Sequence, residues 1–313
     1  MLIFCRKVVV DKPEYLSLKG PLLLACNHPN SFLDSVILDI IFEQPVWSLA
    51  RGDAFTNKTI TGILTSLKIL PVYRTSEGVE NLSENYKTFN ACIEIFRNNG
   101  IIHIFSEGKC VNEWHLRPLK KGTARLAIKS WNENIPLQVL PVGINYSSFR
   151  RFGKNVFVKF GSLININDQP VQVADGLQHL AFNQQLRQQM EQLVFEIPAT
   201  DSARQQALLE LPPTLFQKII LFLPAVMGWL IHMPLYIIVK KMTAEKTKMN
   251  DHYDSVMTAL LVISYPFYLI SLVAILWIAI VSWWVVFLLL IIPFTAWSYV
   301  QLKGQLDKRP SNG

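Results

Sequence analysis

The sequence predicts an α/β domain, a mostly parallel sheet flanked by helices, followed by C-terminal membrane-embedded helices. Three observations carry that expectation. Short apolar runs alternate with helix-like segments between residues 20 and 145, unusual polar residues repeatedly follow the apolar runs, and 255–302 form 48 residues without Asp, Glu, Lys or Arg. A strand buried on both faces of a parallel sheet reads as a continuous apolar run. A helix crosses the hydrocarbon core with roughly 20 residues, so the uncharged run is long enough for two spans. The composition agrees: half of the 313 residues are hydrophobic and the mean hydropathy is +0.26.

Taken in chain order, MLIFCRKVVV is apolar but broken by Arg6-Lys7. It lacks a cleavable-signal pattern and reads as a strand or a short interfacial segment. Strands are expected at 22–26, 46–50, 69–73, 101–105 and 137–144, with helices at about 32–43, 55–67, 80–98 and 120–132. The 80–98 helix is the clearest, because Leu82, Tyr86, Phe89, Ile93 and Phe96 keep helical spacing and Asn98-Asn99-Gly100 supplies a stop. Residues 145–161, with Gly153 in the middle, look like a hairpin ending the sheet. An amphipathic, Gln-rich helix follows at 174–196, with Leu177, Leu180, Leu186 and Met190 as its apolar positions.

Four segments result: an α/β domain over 1–165, an amphipathic helix and linker over 166–213, a hydrophobic helix over 214–240, and a transmembrane hairpin over 255–302. The 215–239 stretch carries Lys218 as its only Asp, Glu, Lys or Arg and is interrupted by Pro224, His232 and Pro234. If it crossed the bilayer, Lys240, Lys241, Lys246 and Lys248 would face away from the α/β domain, against the positive-inside rule. A re-entrant or interfacial helix keeps the lysine loop and the α/β domain together on the cytosolic face of an integral membrane protein. The net charge of +7 fits a lipid surface or a phosphate ligand better than nucleic acid, and no nucleic-acid partner is expected. Cys5, Cys26, Cys92 and Cys110 have no metal-ligand spacing, and Cys26 and Cys92 read as small core residues.

Sites in parallel α/β sheets gather beyond the carboxyl ends of strands. Asn27-His28 follows the first apolar run after the N-terminus, Arg51-Gly52-Asp53 the second, Arg74 the third and Ser106-Glu107-Gly108-Lys109 the fourth. His28 and Asp34 stand six apart, so they do not share a face of one regular helix. If Pro29-Asn30-Ser31 is a turn that starts a helix, His28 folds back beside Asp34. The carboxylate then fixes the ring tautomer and leaves the other nitrogen as a general base. A plainer account is that Ser31-x-x-Asp34 is a capping box. Lys109, Lys120 and Lys121 are phosphate candidates or a solvated face, Arg74 a stronger phosphate candidate. Glu107-Gly108 is a strand-end turn or a ligand contact. Arg150-Arg151 stands at the hairpin tip.

In order, these pieces resemble the glycerophospholipid acyltransferase family, which includes lysophosphatidic acid and glycerol-3-phosphate acyltransferases. The blocks are Asn27-His28-Pro29-Asn30-Ser31-Phe32-Leu33-Asp34, then Lys68-Ile69-Leu70-Pro71-Val72-Tyr73-Arg74, then Phe105-Ser106-Glu107-Gly108-Lys109-Cys110, and finally Val139-Leu140-Pro141-Val142-Gly143-Ile144. Pro118-Leu119-Lys120-Lys121-Gly122 looks like the family's Lys-Gly element. The chain departs from the family at the five-residue gap between His28 and Asp34, at Lys68, at Ser106, and at Cys110, where an arginine that helps bind phosphate often stands.

The resemblance implies direct acyl transfer with His28 and Asp34 as the general-base pair, and needs no cofactor or metal. Acyl-CoA or acyl-carrier protein would be the thioester donor and a glycerophospholipid precursor, 1-acyl-glycerol-3-phosphate above all, the acceptor. Arg74, Lys109, Lys120 and Lys121 would hold the acceptor phosphate, and Glu107 and Gly108 would meet its glycerol. Two other readings stay open: transfer to the first hydroxyl of glycerol 3-phosphate, and a catalytically silent lipid-binding scaffold anchored in the membrane. A hydrolase built on a Gly-x-Ser-x-Gly elbow is excluded, since the chain has none.

Overall fold

The computed structural model describes residues 4–73, 82–168 and 175–307. Arg74 therefore lies outside the described residues. Seven strands form one sheet in the order β1-β7-β6-β2-β5-β3-β4. They are β1 (Cys5–Val10), β2 (Leu22–Cys26), β3 (Val46–Arg51), β4 (Ile69–Val72), β5 (Ile101–Phe105), β6 (Gln138–Tyr146) and β7 (Lys154–Phe160). β2 through β6 are mutually parallel, β7 pairs antiparallel with β6, and β1 runs parallel to β7. The expected hairpin at 145–161 is present but does not end the sheet. The N-terminal segment does, adding β1 outside β7.

Alternation along β2 explains how both faces are covered. Leu23 and Ala25 join a cluster with α3 (Leu82–Arg97), α4 (Gly122–Asn132) and α5 (Asp175–Leu193), through Phe96, Trp131 and Leu186. Leu22, Leu24 and Cys26 face the other way, onto Ile37 and Leu38 of α1 (Phe32–Ile41). That second cluster also takes in Val239 of α7 (Leu215–Lys246) and Met257 of α8 (Tyr253–Ile280). The C-terminal helices are thus part of one face of the core and not an appended anchor. Cys26 and Cys92 are core residues, as expected.

Some expected helical faces are only partly buried. Tyr86 on α3 is exposed while Ile93 and Phe96 are buried; Leu177 and Leu180 on α5 are exposed while Leu186 and Met190 are buried. α2 (Lys58–Ser66) forms in place of the 55–67 helix but buries none of its residues. α6 (Ser202–Leu209) delivers Leu209 into a small cluster with Phe157 and Ile197.

Among the described residues, three helices are long and apolar enough to cross a membrane: Leu215–Lys246, Tyr253–Ile280, and Trp283–Leu302, which ends in α9 (Leu288–Leu302). The chain does not turn back within 215–246, as a re-entrant segment would. It is one continuous helix with Pro224 and Pro234 inside it. A capping box at Thr214 and Gln217 starts α7, each side chain meeting the other's backbone N–H. Gly228 brings α7 against α9, since a Cβ there would lie 2.0 Å from the Thr295 carbonyl oxygen. His232 meets Tyr265, and the Tyr268 hydroxyl donates to Ile231 O, which joins α7 to α8.

Candidate active site

The parallel order of β2, β5 and β6 places their carboxyl ends side by side, and the antiparallel turn brings the first residue of β7, Lys154, to the same edge. Asn27, just past β2, pins this edge: its amide donates to Ile144 O and accepts from Ile144 N–H. The chain then turns through Pro29-Asn30-Ser31 before α1 begins. Ser31 adopts φ 52°, a left-handed conformation that non-glycine residues take reluctantly.

This turn produces the expected juxtaposition. His28 Nδ1 lies 2.9 Å from Asp34 Oδ2. The same oxygen accepts the Asn30 N–H at 2.9 Å, and Oδ1 accepts the Tyr146 hydroxyl at 2.7 Å. Asp34 is fully buried, and three donors satisfy the carboxylate. The capping box does not form, because Ser31 makes no side-chain cap bond and Asp34 is spent on His28. The His28 ring stacks on Phe105 with centroids 3.7 Å apart, and its side chain is 16% exposed. Among the described residues nothing bonds Nε2. The arrangement is that of an imidazole held in one tautomer by a carboxylate, with its second nitrogen left free of any bond to the described residues.

Glu107 is bonded to backbone on both sides. Its Oε2 accepts the His28 N–H and its Oε1 the Arg117 N–H, both at 2.9 Å. It is buried, which pushes its carboxyl above the usual range against the pull of those two amides. Its geometry positions the His28 loop. Gly108 follows at φ +68°, and a Cβ on it would come within 3.0 Å of Lys120 Cγ, so glycine permits the approach of the lysine segment. Lys109, Lys120 and Lys121 are exposed. The structure thus unites His28, Asp34, Glu107, Gly108 and Lys120 at one sheet edge.

Cys110 is not a hole where a cation is missing. Its thiol accepts the Ser31 N–H at 3.0 Å, is buried, and is pushed well up by that burial. It supports the 29–31 turn, as does Asn112, whose amide donates to Pro29 O at 2.7 Å. Ser106 donates to or accepts from Thr123 at 2.9 Å in the buried turn. His103 is a core histidine bonded to Ser48, and burial pushes it down to about 3.

Sequence reasoning missed the contribution of the long apolar helices. Asp254, in the first turn of α8, pairs with Lys154 and accepts the Asn30 amide at 2.5 Å, all three residues being buried. His252 Nδ1 lies 2.7 Å from the Ser31 hydroxyl, and the Phe32 N–H donates to the Ser255 hydroxyl at 3.2 Å. Tyr146 was missed as well. An acid opening a long apolar helix, as Asp254 does, was the one signal in the sequence.

Residues 7–145 match the family described as Acyltransferase. A comparison with curated proteins finds no match. Among solved structures, the chain is similar to the 1-acyl-sn-glycerophosphate (LPA) acyltransferase PlsC of Thermotoga maritima, at 16% identity and a TM-score of 0.42. That similarity covers 61% of this chain and 73% of the other.

Proposed function

From the match of residues 7–145 to the Acyltransferase family, we propose that the protein moves a fatty acyl group from acyl-CoA or acyl-carrier protein to a hydroxyl of a glycerol phosphate lipid, with 1-acyl-glycerol-3-phosphate as acceptor. The observation that carries this reading is the His28 ring, held at Nδ1 by a buried carboxylate with three donors while its side chain stays 16% exposed. Nε2 takes the acceptor hydroxyl's proton as that oxygen attacks the thioester carbonyl carbon. The C–O bond forms, the C–S bond breaks as the tetrahedral intermediate collapses, and the imidazolium returns the proton to the leaving thiolate. No acyl-enzyme is formed.

Lys109, Lys120 and Lys121 stand at the mouth of the turn as partners for the acceptor phosphate, and the motif assigns Arg74 the same task. Glu107 acts at one remove, by holding the His28 backbone. A silent scaffold has no use for a partly exposed imidazole oriented by a buried carboxylate.

The fold also supports an interfacial α7. Its 32 residues are about 48 Å long, yet both flanks rest on the catalytic domain. Leu211 N–H donates to Gln305, which also takes a bond from Asn155, and His252 bonds Ser31 beyond the other end. On this reading α7 lies along the domain in the cytosolic leaflet, and α8 with α9 forms the inserted hairpin.

The test is transfer from labelled palmitoyl-CoA to lysophosphatidic acid or glycerol 3-phosphate by the purified protein in vesicles. His28→Ala should lose about 10²–10⁴-fold in rate; equal turnover in the two proteins would sink the assignment. The better acceptor in the wild type decides between the two lipid readings.

A further inference from the structure

α7, α8 and α9 meet the sheet edge around a second cavity of about 340 Å³, lined among others by His232, Tyr236, Leu261, Tyr265, Tyr299 and Lys303. The size is within the range of small-molecule sites, about 300–1,000 Å³. None of His28, Asp34, Glu107 and Lys109 lines it, so it is separate from the acyl-transfer centre. Its walls are apolar and aromatic, and its charge is confined to one end.

That end is cationic. Lys303 Nζ donates to Phe152 O and lies 5.4 Å from the Phe152 ring centroid and 5.8 Å from that of Tyr299. The charged groups that act on it most are Arg151, Lys154 and Lys240, all basic, and burial among them pushes its ammonium down to about 7. Lys154 is neutralised by Asp254, so the positive charge at this end comes from Lys303, in the cavity wall, and from Arg151 beside it. Arg151 gives one donor to Gly304 O at 2.6 Å and keeps others of its fork in hand. Lys303 directly follows α9, and Thr258, also in the lining, lies one turn beyond Asp254 on α8. The cationic end is therefore at the domain end of the hairpin, where headgroups lie, and the apolar space continues between helices suited to lipid.

We propose that this cavity binds one acyl chain of an anionic bilayer phospholipid, with its phosphate held by Lys303 and Arg151. An anion there offsets cation–cation repulsion in a desolvated place, and Arg forks and Lys ammonium groups both recognise phosphate. The lipid would wedge the hairpin against β7 and so stabilise the folded state by mass action. It acts as a structural ligand, not as a substrate.

The full-length protein is purified in a non-phospholipid detergent, stripped of lipid, and melted with phosphatidylglycerol, phosphatidylcholine or inorganic phosphate added separately. Phosphatidylglycerol should raise Tm, and the other two should not. Lys303→Met and Arg151→Gln should each weaken the phosphatidylglycerol effect about tenfold in apparent affinity, which corresponds to about 1.4 kcal/mol. Val262→Trp, on a lipid-exposed wall position, should abolish it by filling the space. Equal shifts with phosphatidylcholine, a shift with phosphate alone, no shift at all, or variants matching wild type would each overturn the proposal. His28→Ala should keep the full shift, which separates this site from the catalytic reading.

Discussion

Asp34 takes two donors from the turn before α1, His28 Nδ1 and the Asn30 backbone, and one from afar, the Tyr146 hydroxyl at the end of β6. A carboxylate so buried is stabilised only by those bonds, and loss of one leaves an acceptor unsatisfied at about 1–3 kcal/mol. Tyr146→Phe should therefore lower kcat about tenfold with little change in KM for either substrate, as measured in the vesicle assay. Glu107 makes a parallel case. Gln at this position presents an N–H₂ to one of two backbone donors, His28 N–H or Arg117 N–H. Glu107→Gln should reduce stability by about 1–3 kcal/mol in denaturant titration, while acceptor KM stays near wild type. A large rise in KM alone would instead return Glu107 to a ligand-binding role.

The elements meet at a buried ion pair. Lys154 opens β7, Asp254 opens α8, and Asn30 ties both to the catalytic turn. Removing one partner strands a buried charge, which costs about 3–5 kcal/mol, whereas replacing both with apolar residues is often close to neutral. Asp254→Leu and Lys154→Met should each destabilise strongly, and the double variant should recover most of the loss on thermal melting. Independent losses that simply add would show that the pair is not coupled. α7 and α9 touch at Gly228, where the Thr295 carbonyl leaves no room for a side chain. Gly228→Val should force the helices apart and lower Tm in detergent.

For the molecule as a whole, the arrangement of α7 decides the topology. An interfacial α7 keeps its first turn, the 247–252 loop and the catalytic domain on one side, with only the α8–α9 hairpin inserted. Cysteines introduced as Lys218→Cys and Asn250→Cys should then react with an impermeant thiol reagent from the same side of sealed vesicles. Labelling of the two from opposite sides would make α7 a spanning helix. The four native cysteines are buried and leave a clean background for folded protein.

The sequence by itself determined where β2, β3 and β5 lie, since a strand covered on both faces reads as a largely apolar run. It also determined the turn at Pro29-Asn30-Ser31, because six-residue spacing leaves no other way to join His28 and Asp34. What only the tertiary structure decided are the partners. Periodicity states how much of a segment is buried but not against what. So β1 as the edge strand, Glu107 as a backbone clamp and Cys110 as a prop under Ser31 were not readable. The same holds for Asp254, which reaches Asn30 across 224 positions of sequence. Such pairings arise from packing between distant segments, and the local pattern of residues carries no record of them.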